Sequence, residues 1–321
     1  MGYRSRCNKR KILEIRMIEK VKAVVIGHAV GDAIGVPVEF ASREELDNAP
    51  VTDIEGYGTY PVPAGAWSDD TSMALCTIDA LIKYGLDYDR IMENFGKWYY
   101  EDEFTPTGEM FDVGNTCSIA IENYIVGKKS YLECGRNSER DNGNGSLMRI
   151  HPVVLYLANK DMPIDEKIEI VHTMSALTHA HDRSKIGCGI YAFILWELLN
   201  NPAISAVKVG LERAELFYQG QPELVHYSRL FERTFIITPR NAIRSGGYIV
   251  DTLEAAVWCL LTTNSYKEAV LKAVNLGDDT DTLAAVTGGL AGALYGYDAI
   301  PQEWKEMLIR REYIEQLCLG L

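Results

Sequence analysis

The sequence predicts an all-α, compact single-domain protein, and three observations carry that prediction. Apolar residues recur at helical spacing through most of the 321 positions. Strand-like runs are few and short, Phe235-Ile-Ile-Thr238 among them. No Pro-, Gly- or Ser-rich linker divides the chain, and two aspartate-rich tracts near its opposite ends look built to meet, which would bring the first and last helices together.

In chain order, the first apolar helix is expected over 18–35, closing near the glycines at 31 and 35. The next spans 71–84, where Ala74, Leu75, Ile78, Leu81 and Ile82 share a face. Further helices fit 88–100, 115–127, 151–159, 164–177, 184–200, 202–218, 251–263, 265–274, 282–295 and 301–318. Segments 101–114 and 135–146 are rich in Gly, Asn, Asp and Glu and read as loops. Residues 1–16 form a basic extension expected to be poorly ordered, and the domain proper is expected over 17–321. Gly288, Gly292 and Gly296 recur every fourth position after the second tract, a spacing that suits close helix packing in a core.

Composition narrows the function. Apolar residues make up 47% and charged residues 24%, as in soluble globular proteins. A formal charge of −13 disfavours nucleic acid and acidic lipid as partners, and no secretory segment or membrane-spanning apolar run is evident. The seven cysteines are odd in number and form no CxxC pair, which fits buried, reduced thiols in a cytoplasmic protein.

The chemistry concentrates in Ser68-Asp69-Asp70-Thr71 and Gly277-Asp278-Asp279-Thr280-Asp281-Thr282. Carboxylates packed this densely beside an apolar helix repel one another and lose hydration unless a cation offsets both costs. An oxygen-only donor set suits a hard divalent ion such as Mg²⁺, Mn²⁺ or Ca²⁺. Ser68 and Asp281 also read as helix N-caps, and a cap and a ligand can coexist at a helix start. Three other segments accompany the tracts. Glu39 follows Pro37 and reads either as a surface acid or as a base at the mouth of a site. The segment 142–149 (Asn142-Gly-Asn-Gly-Ser-Leu-Met-Arg149) is either an anion-binding turn or a plain one. Thr178-His-Ala-His-Asp-Arg183 offers His179 and His181 as loop, capping or ligand-contacting side chains.

Taken in order, Gly31-Asp32-Ala-Ile-Gly-Val-Pro-Val-Glu39, Trp67-Ser-Asp-Asp-Thr71, Phe111-Asp-Val-Gly-Asn-Thr116, Gly143-Asn-Gly-Ser-Leu-Met-Arg149, Thr178-His179 and Gly277-Asp-Asp-Thr-Asp-Thr282 resemble the ADP-ribosylglycohydrolase family. The resemblance spans about residues 20–304. It implies an all-helical fold with a binuclear centre of two Mg²⁺ or Mn²⁺ ions in an ADP-ribose cleft. By motif, the metal ligands would be Ser68, Asp69, Asp70, Asp279, Asp281 and Thr282. The catalytic candidates are Glu39, Asp70, Asp112 and Asp279, and the substrate would meet Asp112, Gly114, Asn115, Asn144, Gly145, Ser146 and His179. Ser68 stands where many members carry Thr, and Asp278 where many carry Gly.

The implied reaction is hydrolysis at the ribose C1″ of an ADP-ribosylated protein or small molecule, arginine-linked first of all, with ADP-ribose as product. Asp69, Asp70 or Asp279 would take the proton of the water, with Glu39 or Asp112 as the other proton carrier; ring opening is the rival route. Serine-linked, nucleic-acid-linked or free ADP-ribosyl substrates, and a non-catalytic ADP-ribose-binding role, are the alternative readings. The loops 101–114 and 219–247 are expected to select the modified partner.

Overall fold

The computed structural model describes the backbone of residues 2–321 and the side chains from Arg16 onward. The described chain forms fourteen α-helices joined by turns and short 3₁₀ segments. They are α1 (Gly2–Gly35), α2 (Arg43–Asn48), α3 (Asp69–Tyr84), α4 (Tyr88–Glu101) and α5 (Asn115–Ile125). After a long loop come α6 (His151–Ala158), α7 (Ile164–Ala176), α8 (Asp182–Asn200) and α9 (Ile204–Phe217). The last third holds α10 (Ile249–Leu261), α11 (Tyr266–Val274), α12 (Thr280–Tyr295), α13 (Gln302–Met307) and α14 (Arg311–Cys318). The side chains of the expected 1–16 extension, other than Arg16, lie outside the described residues.

The organising contact is α1 against α12, the most extensive helix pair in the molecule. Its cause is legible in the small residues. A Cβ built at Gly27 would stand 2.5 Å from the Gly288 carbonyl oxygen, one at Gly31 2.1 Å from that of Ala284, and one at Gly292 1.9 Å from that of Ala23. Partners fall along α12 as they rise along α1, so the helices run antiparallel with their backbones touching. Gly35 closes the series against the Cα of Asp281 at 2.3 Å, and Thr280 Oγ1 donates to the Gly35 carbonyl at 2.8 Å. The end of α1 is thereby fixed to the start of α12. Gly296, expected on the same stripe, instead terminates α12 with φ +87°.

The other helices wrap this pair. The central α8 is buried along nearly its whole length among α6, α7, α9, α10 and α12. On the other side α3 packs on α4, α6 and α14. Of the face expected on α3, Ile82 alone is partly open to solvent. The segment 16–38 is long and apolar enough to cross a membrane, contrary to expectation, but 83% of that apolar window is buried in the fold. It is a core helix here because α12 offers it a matching face.

Three elements depart from expectation. Residues 43–48 are helical, started by a capping box in which the Ser42 side chain accepts from Glu45 N while the Glu45 carboxylate accepts from Ser42 N at 2.7 Å. Phe235–Ile237 is a 3₁₀ turn, not a strand, within a region of such turns from Pro222 to Ala242. The helix expected over 301–318 breaks at Arg310, where φ is +56°. The break is held from outside: Ile309 N donates to Gly65 O at 3.0 Å, and Trp67 Nε1 donates to Ile309 O at 2.9 Å.

Candidate metal centre and cleft

The N-termini of α3 and α12 converge beside the C-terminus of α1, and their carboxylates meet there. Asp32, Asp70 and Asp281 each bring an oxygen within 4.8 Å of the others, and so do Glu39, Asp112 and Asp281. Asp281 belongs to both sets. Two helix N-termini aimed at one cluster favour its negative charge, but not enough to hold this many acids ionised.

Asp32 carries the tightest network. It accepts from Ser68 N at 2.9 Å, Ser68 Oγ at 2.9 Å, Thr71 N at 3.1 Å and Thr71 Oγ1 at 2.5 Å. Ser68 also donates to Asp70 Oδ2 at 3.0 Å and caps α3 by accepting from Asp70 N at 3.4 Å, so the capping reading of this residue holds. Thr282 Oγ1 donates to Asp70 Oδ2 at 3.2 Å, joining the two tracts directly. Asp281 lies inside the first turn of α12 and not at its cap. Asp279 takes the cap position, yet its side chain makes no cap bond and instead accepts from Asn144 Nδ2 at 2.8 Å.

Burial raises these acids. It lifts Asp32 to about 6, against hydrogen bonds from Thr71 and Ser68 that pull down. Glu39 goes to about 8, first by burial and then by the charge of Asp112. Asp69, Asp70 and Asp281 are held well above the carboxylate range by burial, with neighbouring carboxylates adding to it. Asp112 and Asp279 are raised by burial as well. Among the described residues no Lys or Arg forms an ion pair with any of the seven. Two buried oxygens, Asp70 Oδ1 and Glu39 Oε2, have no partner at all. Orphaned acceptors, an all-oxygen donor set and uncompensated like charge are the conditions a hard divalent cation relieves, so the residues fit a metal centre.

A cleft of about 340 Å³ opens over this floor, lined by Glu39, Asp69, Asp112, Gly114, Asn115, Asn144, Gly145, His179, Asp279 and Thr282 among others. A larger hollow of about 710 Å³ around Leu211, Phe231 and Phe235 carries no such cluster. Glu39 is not a surface acid. Its loop is laced down by Thr59 Oγ1 donating to Glu39 O at 2.7 Å and by Phe40 N donating to Asp278 O at 2.7 Å. Asp112 adopts φ +57° at the lip. His181 caps α8 by accepting from Arg183 N, while His179 is the histidine that faces the cleft.

Ser146 does not line the cleft. Its side chain is wholly buried, accepting from Ser175 Oγ at 2.9 Å with Cys188 Sγ at 3.4 Å, because the turn before α6 aims it into the core. Asn144 N is spent on Gly247 O at 3.0 Å, so this turn meets a ligand through its remaining surface and not through that amide. Asp278, at φ +64°, occupies a backbone state that glycine adopts freely. Its carboxylate accepts from Ser245 Oγ at 3.0 Å and points away from the cluster. Neither Asp32 nor Tyr60 carries a local signal of its role. Asp32 was visible beside Gly31 in the first motif, but a single acid inside an apolar helix lacks the density of the tracts. Tyr60 lies beside both Glu39 and Asp112, its ring centroid 5.1 Å from that of Phe111, a placement nothing local announces.

The six described cysteines are all free and buried; Cys7 lies outside the described side chains.

Comparison with known proteins follows the same lines. A family model described as ADP-ribosylglycohydrolase matches residues 13–321, further in both directions than the motifs alone. The ADP-ribosylarginine hydrolase Tri1 of Serratia proteamaculans (strain 568) is 35% identical over 315 residues, which is 96% of this chain and 80% of that protein. The ADP-ribosyl-(dinitrogen reductase) glycohydrolase of Rhodospirillum rubrum is 30% identical over 305 residues, 93% of this chain and 94% of that one. A solved ADP-ribosylglycohydrolase-related protein complex superposes with a TM-score of 0.80 at 31% identity, covering 95% of this chain and 97% of that chain. With that match along nearly its whole length, over a fold that gathers its acids beneath one cleft, this chain belongs to the ADP-ribosylglycohydrolase family of hydrolases.

Proposed function

We propose that this chain removes ADP-ribose from modified arginine side chains, using two divalent cations, Mg²⁺ or Mn²⁺. The observation that carries the reading is the pair of acidic sets sharing Asp281 at the floor of the cleft. One relative is named for ADP-ribosylarginine, which supports the linkage, and another for ADP-ribosyl-(dinitrogen reductase), which supports a protein target.

Ser68, Asp69, Asp70, Asp279, Asp281 and Thr282 would hold the cations, with Asp32 added from the structure. The bound ions supply charge that orients ribose hydroxyls and lowers the cost of ionising water. The chain's own groups do the rest. Asn144, Gly145 and His179 bound the cleft where the nucleotide would lie, and Gly114 and Asn115 close its other lip. In hydrolysis the water oxygen bonds to C1″ as the bond from C1″ to the guanidino nitrogen breaks. One proton leaves the water and the departing guanidine takes one up. Glu39 and Asp112 both line the cleft, with Tyr60 beside them, so they are the carboxyls placed to take and return that proton. Asp69 and Asp279 line the same cleft and Asp70 is buried beside it, where their charge would offset the positive character that develops at C1″.

The test is release of ADP-ribose from ADP-ribosyl-arginine with and without Mg²⁺ or Mn²⁺. Metal-dependent release is expected. If this substrate stays intact while a serine-linked one is cleaved, the linkage assignment is wrong and the hydrolase stands.

A further inference from the structure

Arg149 is fully buried and forms no ion pair with a carboxylate among the described residues. Its Nη1 donates to Met174 O at 3.2 Å, its guanidinium lies over Phe95 at 4.9 Å, and its Nε has no partner. Leaving such a charge in a core without a counter-ion is costly, so its placement calls for a use. The remaining contact supplies one. Nη2 donates to Thr178 Oγ1 at 2.7 Å, and the same hydroxyl lies 2.8 Å from His179 Nδ1.

The available protons then fix the histidine. A guanidinium has only donors, so Thr178 accepts from Arg149 and keeps its own hydrogen to give away. His179 Nδ1 is the acceptor in line. Arg149 Nη2 and His179 Nδ1 are the hydrogen-bond partners of Thr178 Oγ1 among the described residues. The hydroxyl hydrogen is satisfied when Nδ1 is bare and Nε2 carries the ring hydrogen. Burial, and after it the charge of Arg149, lower His179 to about 3, so the ring is neutral at working pH. Nε2 faces the cleft beside two glycines. A Cβ at Gly145 would come within 2.9 Å of the ring Cε1, and one at Gly143 within 3.5 Å of Nε2. The backbone of His179 is pinned too, by His179 N donating to Ser175 O at 2.8 Å and Ala180 N to Arg136 O at 2.7 Å.

We propose that Arg149 is a positioning residue that acts through Thr178 to lock His179 as the Nε2–H tautomer, so that the ring donates to a phosphate oxygen of the substrate's diphosphate. This rests on the ADP-ribose reading above. It also gives the unpaired guanidinium a role, as fixed positive potential behind a cleft whose floor is acidic.

The experiment pairs ¹⁵N spectra of the histidine-labelled full chain with calorimetric titration of ADP-ribose in the presence of Mn²⁺. The wild-type spectrum is expected to show protonated Nε2 and bare Nδ1 at His179. Thr178→Val, close in shape but without the hydroxyl, is expected to lose that preference and to bind ADP-ribose roughly tenfold or more weakly. Mn²⁺ affinity should stay at the wild-type level, and Thr178→Ser should restore both readouts. Arg149→Met is expected to behave as Thr178→Val does; should it fail to fold, the Thr178 pair decides alone. A proton on Nδ1 in the wild type, or unaltered ADP-ribose affinity in Thr178→Val, would overturn the proposal. Absence of any ADP-ribose binding by the wild type would overturn the substrate reading as well, which separates the two failures.

Discussion

Asp281 is the residue on which the site turns, because its carboxylate belongs to both acidic sets while Glu39 and Asp112 each belong to one. Position separates binding groups from proton carriers. Asp70 is wholly buried and touches Ser68 and Thr282, whereas Asp112 sits half-buried at the lip with φ +57°. Aspartate tolerates that backbone state at a modest strain, and such strain gathers at functional positions. We expect Asp112→Asn to lower kcat by about 10²-fold or more while ADP-ribose affinity changes only a few-fold. Release assays beside calorimetry would check it, and an equal loss in both would place Asp112 in binding instead. At this scale the tracts were readable because carboxylates crowded beside an apolar helix repel one another unless a cation joins them. Asp32 and Tyr60 were not, since their importance comes from what folds onto them. Ser146 misled for the converse reason: the motif is read as a unit, but the turn keeps Asn144 at the cleft and aims Ser146 into the core.

Among the elements, α1 and α12 do the positioning. Their backbones touch along Gly27, Gly31, Gly35, Gly288 and Gly292, and that closeness carries Asp32 to Asp281. Gly31→Ala would place a methyl 2.1 Å from the Ala284 carbonyl oxygen, so backbone must shift. A loss of about 1–3 kcal/mol in urea unfolding is expected, together with weaker Mn²⁺ binding because the two helix ends part. Unchanged Mn²⁺ affinity with reduced stability would detach the stripe from the site. Most of the helices were legible from apolar spacing, α8 and α10 among them. Helix α2 was missed although Ser42 and Glu45 form a readable start signal, because six residues give periodicity too little length. The break near Arg310 was illegible for another reason. Gly65 and Trp67, far away in sequence, hold it.

For the whole molecule, the buried acids make stability depend on pH and on metal together. Asp32 is raised from the ordinary carboxyl value to about 6, and Glu39 to about 8. A raised acid contributes stability below its unfolded value and loses it as pH climbs through the folded one. For metal-free protein the loss therefore runs from about pH 4 to about pH 8, and Asp32 alone contributes on the order of 2–3 kcal/mol of it. A divalent cation binds the ionised cluster and reverses that loss. Thermal melts with Mn²⁺ and with chelator should differ little near pH 5 and increasingly toward pH 8. A gap that stays constant with pH would mean that the stabilising ion binds elsewhere. The net charge of −13 points the same way, since cations offset it globally as well as at the cleft. That the chain is one helical domain was readable from the separation of the two tracts, because neither completes a site alone.

The most direct measurement is the number of Mn²⁺ ions bound per chain, by equilibrium dialysis, for wild type and Asp281→Asn. Two ions in the wild type, and loss of both from the variant at the same free Mn²⁺, is the expected result for a carboxylate shared between two sites. One ion in the wild type, or full occupancy in a folded Asp281→Asn, would contradict the shared centre.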